Sequence, residues 1–401
     1  MSEKVLNFDW IDGIATSRVE DVLYYLAFFL YSVASNLGFT TIRTVGGIPL
    51  NYVVLAFQAI VLCCLLFKFL SQKINGVSWV VSLFLVAIGL ISWQHSGENY
   101  FLWIVLFVIS GFDANYRKLA RLACVACVLT IIICLFSLNA GLANDVVVYG
   151  TNGIRHSMGF IHPNSFGRFL VVSSLSFSTA HYGRGIYIDL LVAVVCASVA
   201  QIVAGSRTSV LLLICLIVLL IVSSCTKSNS SKRAVLSTLF FIVLLAILSS
   251  FYFMFNYDVS VPAHRLLDSL LSGRLSLSSA YADIAPFTLF GNGFLDVPFY
   301  GLPATFTVDN AWCHLFLRAG IIPTLILLLG EIVLLWRVFR LRIIDGFTLG
   351  LFLMSLYSFS ETVGIMIESN FYLIAMAPAV LSGSVVMNRL ASFKDNAIKM
   401  R

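Results

Sequence analysis

The sequence predicts an all-α membrane protein, a polytopic bundle of about twelve transmembrane helices in a single domain covering residues 1–401. Of its residues, 60% are hydrophobic and only 11% are charged, whereas soluble domains are nearer half apolar and a quarter charged. No soluble core buries this much apolar surface, so lipid has to be part of the solvent. The net charge of +6 does not indicate nucleic acid, because the basic residues lie in short segments between apolar runs.

Twelve apolar runs approach the length of about 20 residues that a transmembrane helix needs. They cover residues 22–38, 48–70, 77–93, 99–112, 119–138, 166–182, 186–204, 208–224, 234–256, 312–336, 346–366 and 369–388. The fourth run is the shortest. An even number of spans places both termini on the same side of the membrane.

Lysine and arginine are distributed unevenly between the two sides that these spans define. With the N-terminus inside, 18 of the 25 basic residues fall in inner segments and 7 in outer segments, which predicts that both termini are cytoplasmic. Every lysine is inside, and the outer basic residues are Arg43, Arg155, Arg168, Arg207, Arg265, Arg274 and Arg318. A guanidinium group binds phosphate through two parallel hydrogen bonds. Phosphate binding would therefore explain why arginines remain on the outer side. The alternative is snorkelling or structural pairing with carboxylates.

Two predicted outer loops are long, at 139–165 and 257–311, and long ordered loops are usually functional. The second begins with leucines at helical spacing, from Leu266 to Leu271, which predicts an amphipathic helix in the membrane interface. Aromatic residues further along this loop, such as Phe290, have faces suited to stacking on sugar rings. The alternative for each ring is packing onto the membrane interface.

The first long loop ends in a polar stretch, residues 153–168, at the start of the sixth span. Pro163 disfavours helix at His162, so Asn164 or Ser165 is expected to cap the helix. A helix N-terminus at the outer surface favours an anion. The alternative is an ordinary capped helix without a ligand.

Further polar residues lie at the other outer helix ends. Arg207 lies in a very short turn between the seventh and eighth spans, where a charge is costly unless it is paired or faces a polar cavity. Asp309 and His314 lie at the outer end of the tenth span, and Glu361 lies at the last outer turn. The outer side has no D-x-D motif or metal-spaced His/Cys cluster, and the inner side has no Walker motif.

Together these motifs resemble the O-antigen polymerase and ligase superfamily, the Wzy/WaaL group, which includes capsule and exopolysaccharide polymerases. The matching parts are Arg155-x-Ser157-x-Gly159-Phe160-x-His162-Pro163-Asn164-x-Phe166-Gly167, Ser206-Arg207-Thr208, Gly273-Arg274, Gly291-x-Gly293 and Asp309-Asn310. The resemblance covers residues 140–330 by motif and the whole chain by hydropathy.

The resemblance implies a GT-C-like, inverting glycosyltransferase that uses no metal and no cofactor, in the bacterial cytoplasmic membrane. A Wzy-type enzyme polymerises repeat units linked to undecaprenyl diphosphate, alongside a flippase and a chain-length regulator and without nucleic acid. Ligases of the superfamily carry His before the Asn of the last motif, where this chain has Asp309, so a polymerase is favoured. The alternatives are an O-antigen ligase and a lipid-linked oligosaccharide flippase, although no internal repeat of the kind typical of transporters is evident.

The chemistry of this reaction predicts three groups of site residues. Arginines stabilise the charge that develops on the leaving diphosphate in place of a metal, and the candidates are Arg155, Arg207, Arg265 and Arg274. A base takes the proton of the acceptor hydroxyl, and the candidates are Asp309, His162 and His314. Candidates for contacting the acceptor or sugar are Asn164, Asn310, Phe290 and Glu361. A histidine base predicts a bell-shaped pH profile.

Overall fold

A computed structural model of the chain describes residues 18–72, 74–150, 153–293 and 308–377. In these ranges the α-helices are α1 Val19–Leu37, α2 Leu50–Ser71, α3 Gly76–Ser96, α4 Tyr100–Ser110, α5 Tyr116–Asn139, α6 Pro163–His181, α7 Ile186–Val199, α8 Arg207–Cys225, α9 Asn229–Asn256, α10 Pro262–Leu270, α11 Arg274–Ile284, α12 Ala311–Arg318, α13 Ile321–Leu341 and α14 Gly346–Tyr357. A π-helical turn, Ala200–Ala204, continues α7, and the 3-10 helices Thr362–Ile365 and Phe371–Ala375 follow α14. Two antiparallel hairpins complete the fold: β1 Thr44–Val45 with β2 Ile48–Pro49, and β3 Val147–Gly150 with β4 Gly153–His156.

Seven of the described helices are long and apolar enough to cross a membrane. They are α2, α3, α5, α7 with its π turn, α8, α9 and α13. These helices expose large apolar side chains, for example Phe67, Leu191 and Leu245, as expected of surfaces that lipid covers. The chain is therefore a multi-pass helical membrane protein, which confirms the predicted class.

Two shorter apolar helices lie in the interior of the bundle. The 11 residues of α4 and the 12 residues of α14 extend over about 17 and 18 Å, which is less than the hydrocarbon thickness of about 30 Å. All residues of α4 after Tyr100 are buried, and so are ten of the 12 in α14. A helix that is apolar on every side belongs in a core, so these two helices are apolar because protein surrounds them.

The predicted tenth span, 312–336, consists of two helices rather than one. The helix α12 ends at Arg318, and α13 begins at Ile321. Between them Gly320 has a φ of +99°, and a Cβ atom there would clash with the backbone nitrogen of Gly291. Only glycine combines this conformation with this close approach, so the break is built into the sequence.

The predicted eleventh span, 346–366, is helical only as far as Tyr357. The chain then continues through buried turns and the 3-10 helix that begins at Thr362. Irregular backbone at this depth is tolerated where protein rather than lipid surrounds it. The predicted twelfth span, 369–388, lies mostly outside the described residues, and so does part of the second long loop, 294–307.

Lys68, at the end of α2, marks one end of the bundle, which we call the lysine end. Its ammonium group is 2.5 Å from a carboxylate oxygen of Asp21 and 3.1 Å from one of Asp113. Nearby, Tyr182 accepts a hydrogen bond from Arg117 through its carbonyl. These contacts join segments that the charge count placed together on the inner side.

The predicted outer segments contact one another at the other end, which we call the arginine end. Thr41, between β1 and α1, donates to the carbonyl of Asn144 at 2.9 Å. Ser92, near the end of α3, donates to the carbonyl of Ala319 at 2.9 Å. The segments that the charge count assigned to opposite sides therefore lie at opposite ends of the bundle.

Replacing Lys68 with Met tests the ion triad at the lysine end. The side chain of Lys68 is nearly buried, so its loss leaves two carboxylates facing each other without a cation. Because those carboxylates are about one-third exposed, we expect a loss of about 1–3 kcal/mol, below the value for a fully buried pair. Thermal unfolding in detergent measures this loss. The exposed Lys227→Met is the control, and an equal melting temperature for both variants would contradict a stabilising triad.

Candidate functional site

The side chain of Arg274 joins four chain segments at the arginine end. Gly273, with a φ of +80°, turns the chain so that Arg274 is the first residue of α11. The guanidinium donates to Asp309 Oδ2 at 3.0 Å, to Thr208 Oγ1 at 3.0 Å and to Glu361 Oε1 at 2.7 Å. Only 11% of the Arg274 side chain is exposed, so the two carboxylates compensate a largely buried charge.

Arg155, on β4, reaches the same region from the first long loop. Its Nε donates to the carbonyl of Ala204 at 2.9 Å, and its Nη2 donates to Asn164 Oδ1. The π turn at the end of α7 presents that carbonyl, and Gly205 follows it with a φ of +53°. A Cβ atom at Gly205 would lie 3.0 Å from the side chain of Arg155, so the absence of a side chain makes room for the arginine.

Asp145 holds the hairpin that carries Arg155. One carboxylate oxygen of Asp145 accepts from the N–H groups of Ser157 and Met158, each at 2.9 Å, and the other lies 2.6 Å from Nδ1 of His156. Burial opposes ionisation of this carboxyl, but these hydrogen bonds together outweigh it and lower the pKa of Asp145. The hairpin is thus anchored by a carboxylate that stays ionised.

Arg207, the first residue of α8, is exposed, and no hydrogen bond or ion pair joins its guanidinium to the described part of the chain. Gly205, two residues before Arg207, packs against the side chain of Arg155. Burial lowers the pKa of Arg155, and the positive charge of Arg207 lowers it further. The nearby Ser206 and Ser209 hydroxyls bond to each other at 2.9 Å, and Ser209 bonds to Tyr357 at 3.2 Å. The start of α8 is therefore fixed while its arginine is available to a ligand.

His162 caps α6, which corrects the expectation that Asn164 or Ser165 does so. Its Nδ1 accepts from the N–H of Asn164 at 3.1 Å, and Pro163 occupies the first helical position. Since Nδ1 accepts, the neutral ring carries its proton on Nε2, where it is a donor. Burial, and then the charge of Arg155, lower the pKa of His162, so the ring is neutral at pH 7.

Seven of the eleven predicted site residues are thus brought together, and we call them the arginine cluster: Arg155, Arg207, Arg274, His162, Asn164, Asp309 and Glu361. They come from the first long loop, the starts of α6, α8, α11 and α12, and the segment after α14. Thr208, next to Arg207, also belongs here through its bond to Arg274. Chemically, the arrangement offers several donors for a multivalent anion beside two carboxylates.

His314 lies apart from the arginine cluster, one turn further along α12. Its Nε2 is 3.1 Å from Glu98 Oε2, and Arg318 contacts the other oxygen of Glu98 at 3.0 Å. Burial opposes ionisation of Glu98, but the bonds and charges of His314 and Arg318 outweigh it and lower its pKa. This second ionic group ties the α3–α4 connection to α12.

The three remaining predicted residues have other surroundings. Asn310 caps α12, because its Oδ1 accepts from the N–H groups of Trp312 and Cys313 and its amide nitrogen donates to two further groups of the protein. Phe290 is partly buried and packs against the hydrophobic core. Arg265 is exposed on α10, and no hydrogen bond or ion pair of the described residues joins it to the arginine cluster.

Two buried charges are not among the predicted site residues: Arg168 on α6 and Glu368 beyond α14, which are 6% and 2% exposed. The Arg168 guanidinium lies 3.7 Å from the ring centre of Phe39, and Glu368 accepts from the Ser35 hydroxyl at 2.8 Å. Among the described residues no carboxylate oxygen comes within 4.0 Å of Arg168. The count of outer arginines included Arg168, but its position inside an apolar run gave no sign of what it contacts.

The described residues contain no group of three or more His, Cys, Asp or Glu side chains placed to hold a metal ion. Comparison with protein-family models, with curated proteins and with solved structures gives no match. The resemblance to the polymerase and ligase superfamily therefore rests on short motifs.

The hairpin that carries Arg155 is expected to loosen only in strong acid. The pKa of Asp145 is lowered by folding, so its contribution is complete above the unfolded carboxyl pKa of about 3.9 and is lost as the pH falls through the lower folded value. Amide hydrogen exchange of residues 145–150 and 153–158, corrected for intrinsic rates, should stay constant from pH 7 to about 4 and rise below. In Asp145→Asn it should already be fast at pH 7, whereas the exposed Asp283→Asn should match the unsubstituted protein. Slow exchange in Asp145→Asn would show that the carboxylate does not hold the hairpin.

Proposed function

We propose that this chain polymerises oligosaccharide repeat units linked to undecaprenyl diphosphate, at the outer face of the bacterial cytoplasmic membrane. It acts as a metal-independent, inverting glycosyltransferase of GT-C-like architecture with about twelve spans and cytoplasmic termini. The observation that carries the proposal is the grouping of three arginines at one end of a membrane bundle. Arg274 pairs with Asp309 and Glu361 and donates to Thr208, the neighbour of Arg207. Arg155 packs against Gly205, two residues before Arg207. A lipid diphosphate needs such a site, because its chain stays in the bilayer while its charge stays at the surface.

The donor diphosphate occupies the side of the cluster where Arg207 lies. Arg207 has no partner among the described residues, and Arg155 beside it uses two of its three nitrogens within the protein. As the bond between the anomeric carbon and the diphosphate oxygen breaks, negative charge develops on that oxygen. Fixed guanidinium groups stabilise this charge most where water is scarce. Repulsion between Arg155 and Arg207 without a ligand favours binding of an anion.

Asp309 serves as the base for the acceptor hydroxyl. Its Oδ2 is held by Arg274, while no described donor contacts Oδ1, and the side chain is 36% exposed. The acceptor oxygen attacks the anomeric carbon on the face opposite the diphosphate, and its proton passes to Asp309. His162 is less suited to this role, because its Nδ1 is engaged and its Nε2 carries a proton. It instead donates a hydrogen bond from Nε2.

Ligation and lipid translocation are the competing functions, and one reconstitution separates them. The purified protein is placed in proteoliposomes with undecaprenyl-diphosphate-linked repeat units, and the glycan on lipid diphosphate is analysed by size. Longer glycan supports the polymerase. Growth that appears only when lipid A-core is supplied, and only on that acceptor, indicates a ligase. Change of leaflet without growth indicates a flippase and refutes the enzymatic proposal.

Arg207→Lys tests the phosphate contact, since lysine keeps the charge but loses the planar pair of donors. We expect polymerisation to fall about 100-fold with unchanged folding, because this side chain has no structural partner among the described residues. The rate of glycan growth measures this. Arg265→Lys is the matched control and should keep full activity, since Arg265 lies outside the cluster. Full activity of Arg207→Lys would refute the assignment.

His162→Asn and Asp309→Asn distinguish the donor from the base. Asparagine at position 162 keeps an acceptor for the helix cap but removes the ring, so the loss should be about tenfold, the cost of one hydrogen bond. Removing the base should cost about 100- to 10,000-fold. Rates of glycan growth across pH compare the two variants. A larger loss for His162→Asn than for Asp309→Asn would reverse the two roles.

A further inference from the structure

The helix α10 presents three different faces. At 100° per residue, His264 and Asp268 fall on one side, Arg265 and Ser269 on a second, and leucines at 266, 267 and 270 on a third. None of its residues is buried. A nine-residue helix with such separated faces sits where protein, water and an apolar medium meet.

The face with His264 and Asp268 packs on the protein. The ring of His264 stacks on Tyr257 with centres 5.9 Å apart and meets the edge of Phe253 at 5.3 Å. Asp268 Oδ2 accepts from the Tyr257 hydroxyl at 3.3 Å. These contacts fix how α10 is rotated about its axis, and so decide where its leucines point.

The leucine face is open. Leu266 is 62% exposed and Leu270 is 68% exposed, although both are large and apolar. Phe255, in the last turn of α9, and Val259, between α9 and α10, are exposed as well, and α9 is long and apolar enough to cross a membrane. Only residues 257–261 separate α10 from this apolar helix, so lipid is the occupant that we assign to its exposed leucines.

We propose that α10 lies in the membrane interface at the arginine end, with its leucines among the acyl chains and Arg265 at the headgroups. This position of α10 sets the depth of Arg274 in the membrane. Arg265 is then a headgroup contact, which accounts for its separation from the cluster. The second half of the proposal deepens the proposed function and rests on it, because it assigns Arg274 to the diphosphate site.

Asp268 links the position of α10 to Arg274. Its Oδ1 accepts from the N–H groups of Leu275 and Ser276, at 2.8 and 3.0 Å, and its carbonyl accepts from Gly273 at 2.8 Å. A carboxylate at these N–H groups caps α11 directly after Arg274. A displacement of α10 is therefore passed to the first turn of α11.

Photo-crosslinking of the full chain in proteoliposomes tests the lipid contact. The photoreactive residue p-benzoylphenylalanine replaces Leu266 in one protein and Ser269 in another, in vesicles of phosphatidylethanolamine and phosphatidylglycerol with radiolabelled acyl chains. We expect at least fivefold more labelled adduct at position 266 than at 269. Equal labelling at the two positions, or crosslinking of position 266 to a second copy of the chain instead of lipid, overturns the proposal.

Amide hydrogen exchange in the same vesicles tests the link to α11. Leu266→Glu with Leu270→Glu should lift α10 out of the acyl chains and speed exchange at Leu275 and Ser276 at least fivefold, whereas Ser269→Glu should not. Unchanged exchange in the double variant overturns the coupling. Neither measurement uses glycan growth, so failure of the proposed polymerase activity is seen separately, in the reconstitution.

Discussion

A largely buried guanidinium group in a lipid-embedded protein needs anions and hydrogen-bond acceptors around it. The arrangement at the arginine end follows from compensating the buried charge of Arg274 in this way. Its partners Thr208, Asp309 and Glu361 lie between 35 and 87 residues away in the sequence. The start of α8, the start of α12 and the segment after α14 therefore have to converge on the start of α11. Removing either carboxylate leaves the charge under-compensated, and removing the Thr208 hydroxyl leaves a buried donor unpaired, so the four segments are held as a unit.

The three arginines of the cluster differ in how many of their guanidinium nitrogens bond within the protein. Arg274 uses all three kinds of guanidinium nitrogen within the protein, and Arg155 uses two. Arg207 uses none among the described residues, yet its backbone is fixed by the bond between Ser206 and Ser209. An anion meeting this end thus finds donors whose positions are set in advance, so little ordering is left to be done when it binds.

Composition and charge counting predicted the class and the grouping of the loops, because lipid and topology act on whole segments. Seven of the predicted site residues lie together because motifs at helix starts fall at one end of a bundle. The direction of a side chain was not predictable: Asp309 precedes α12 and His314 lies on it, and the two side chains join different ionic groups. The apolar composition also did not reveal that α14 ends at Tyr357, because a segment buried by protein is as apolar as one covered by lipid.

The close backbone contact between Gly291 and Gly320 limits which residues these two positions accept. A Cβ atom at either position would meet backbone atoms of the other's segment, and backbone has no rotamer with which to move aside. A change of another side chain does not remove these backbone atoms, so glycine is strongly favoured at both positions. The break between α12 and α13 is therefore expected to tolerate substitution far less than the exposed surfaces of the same helices.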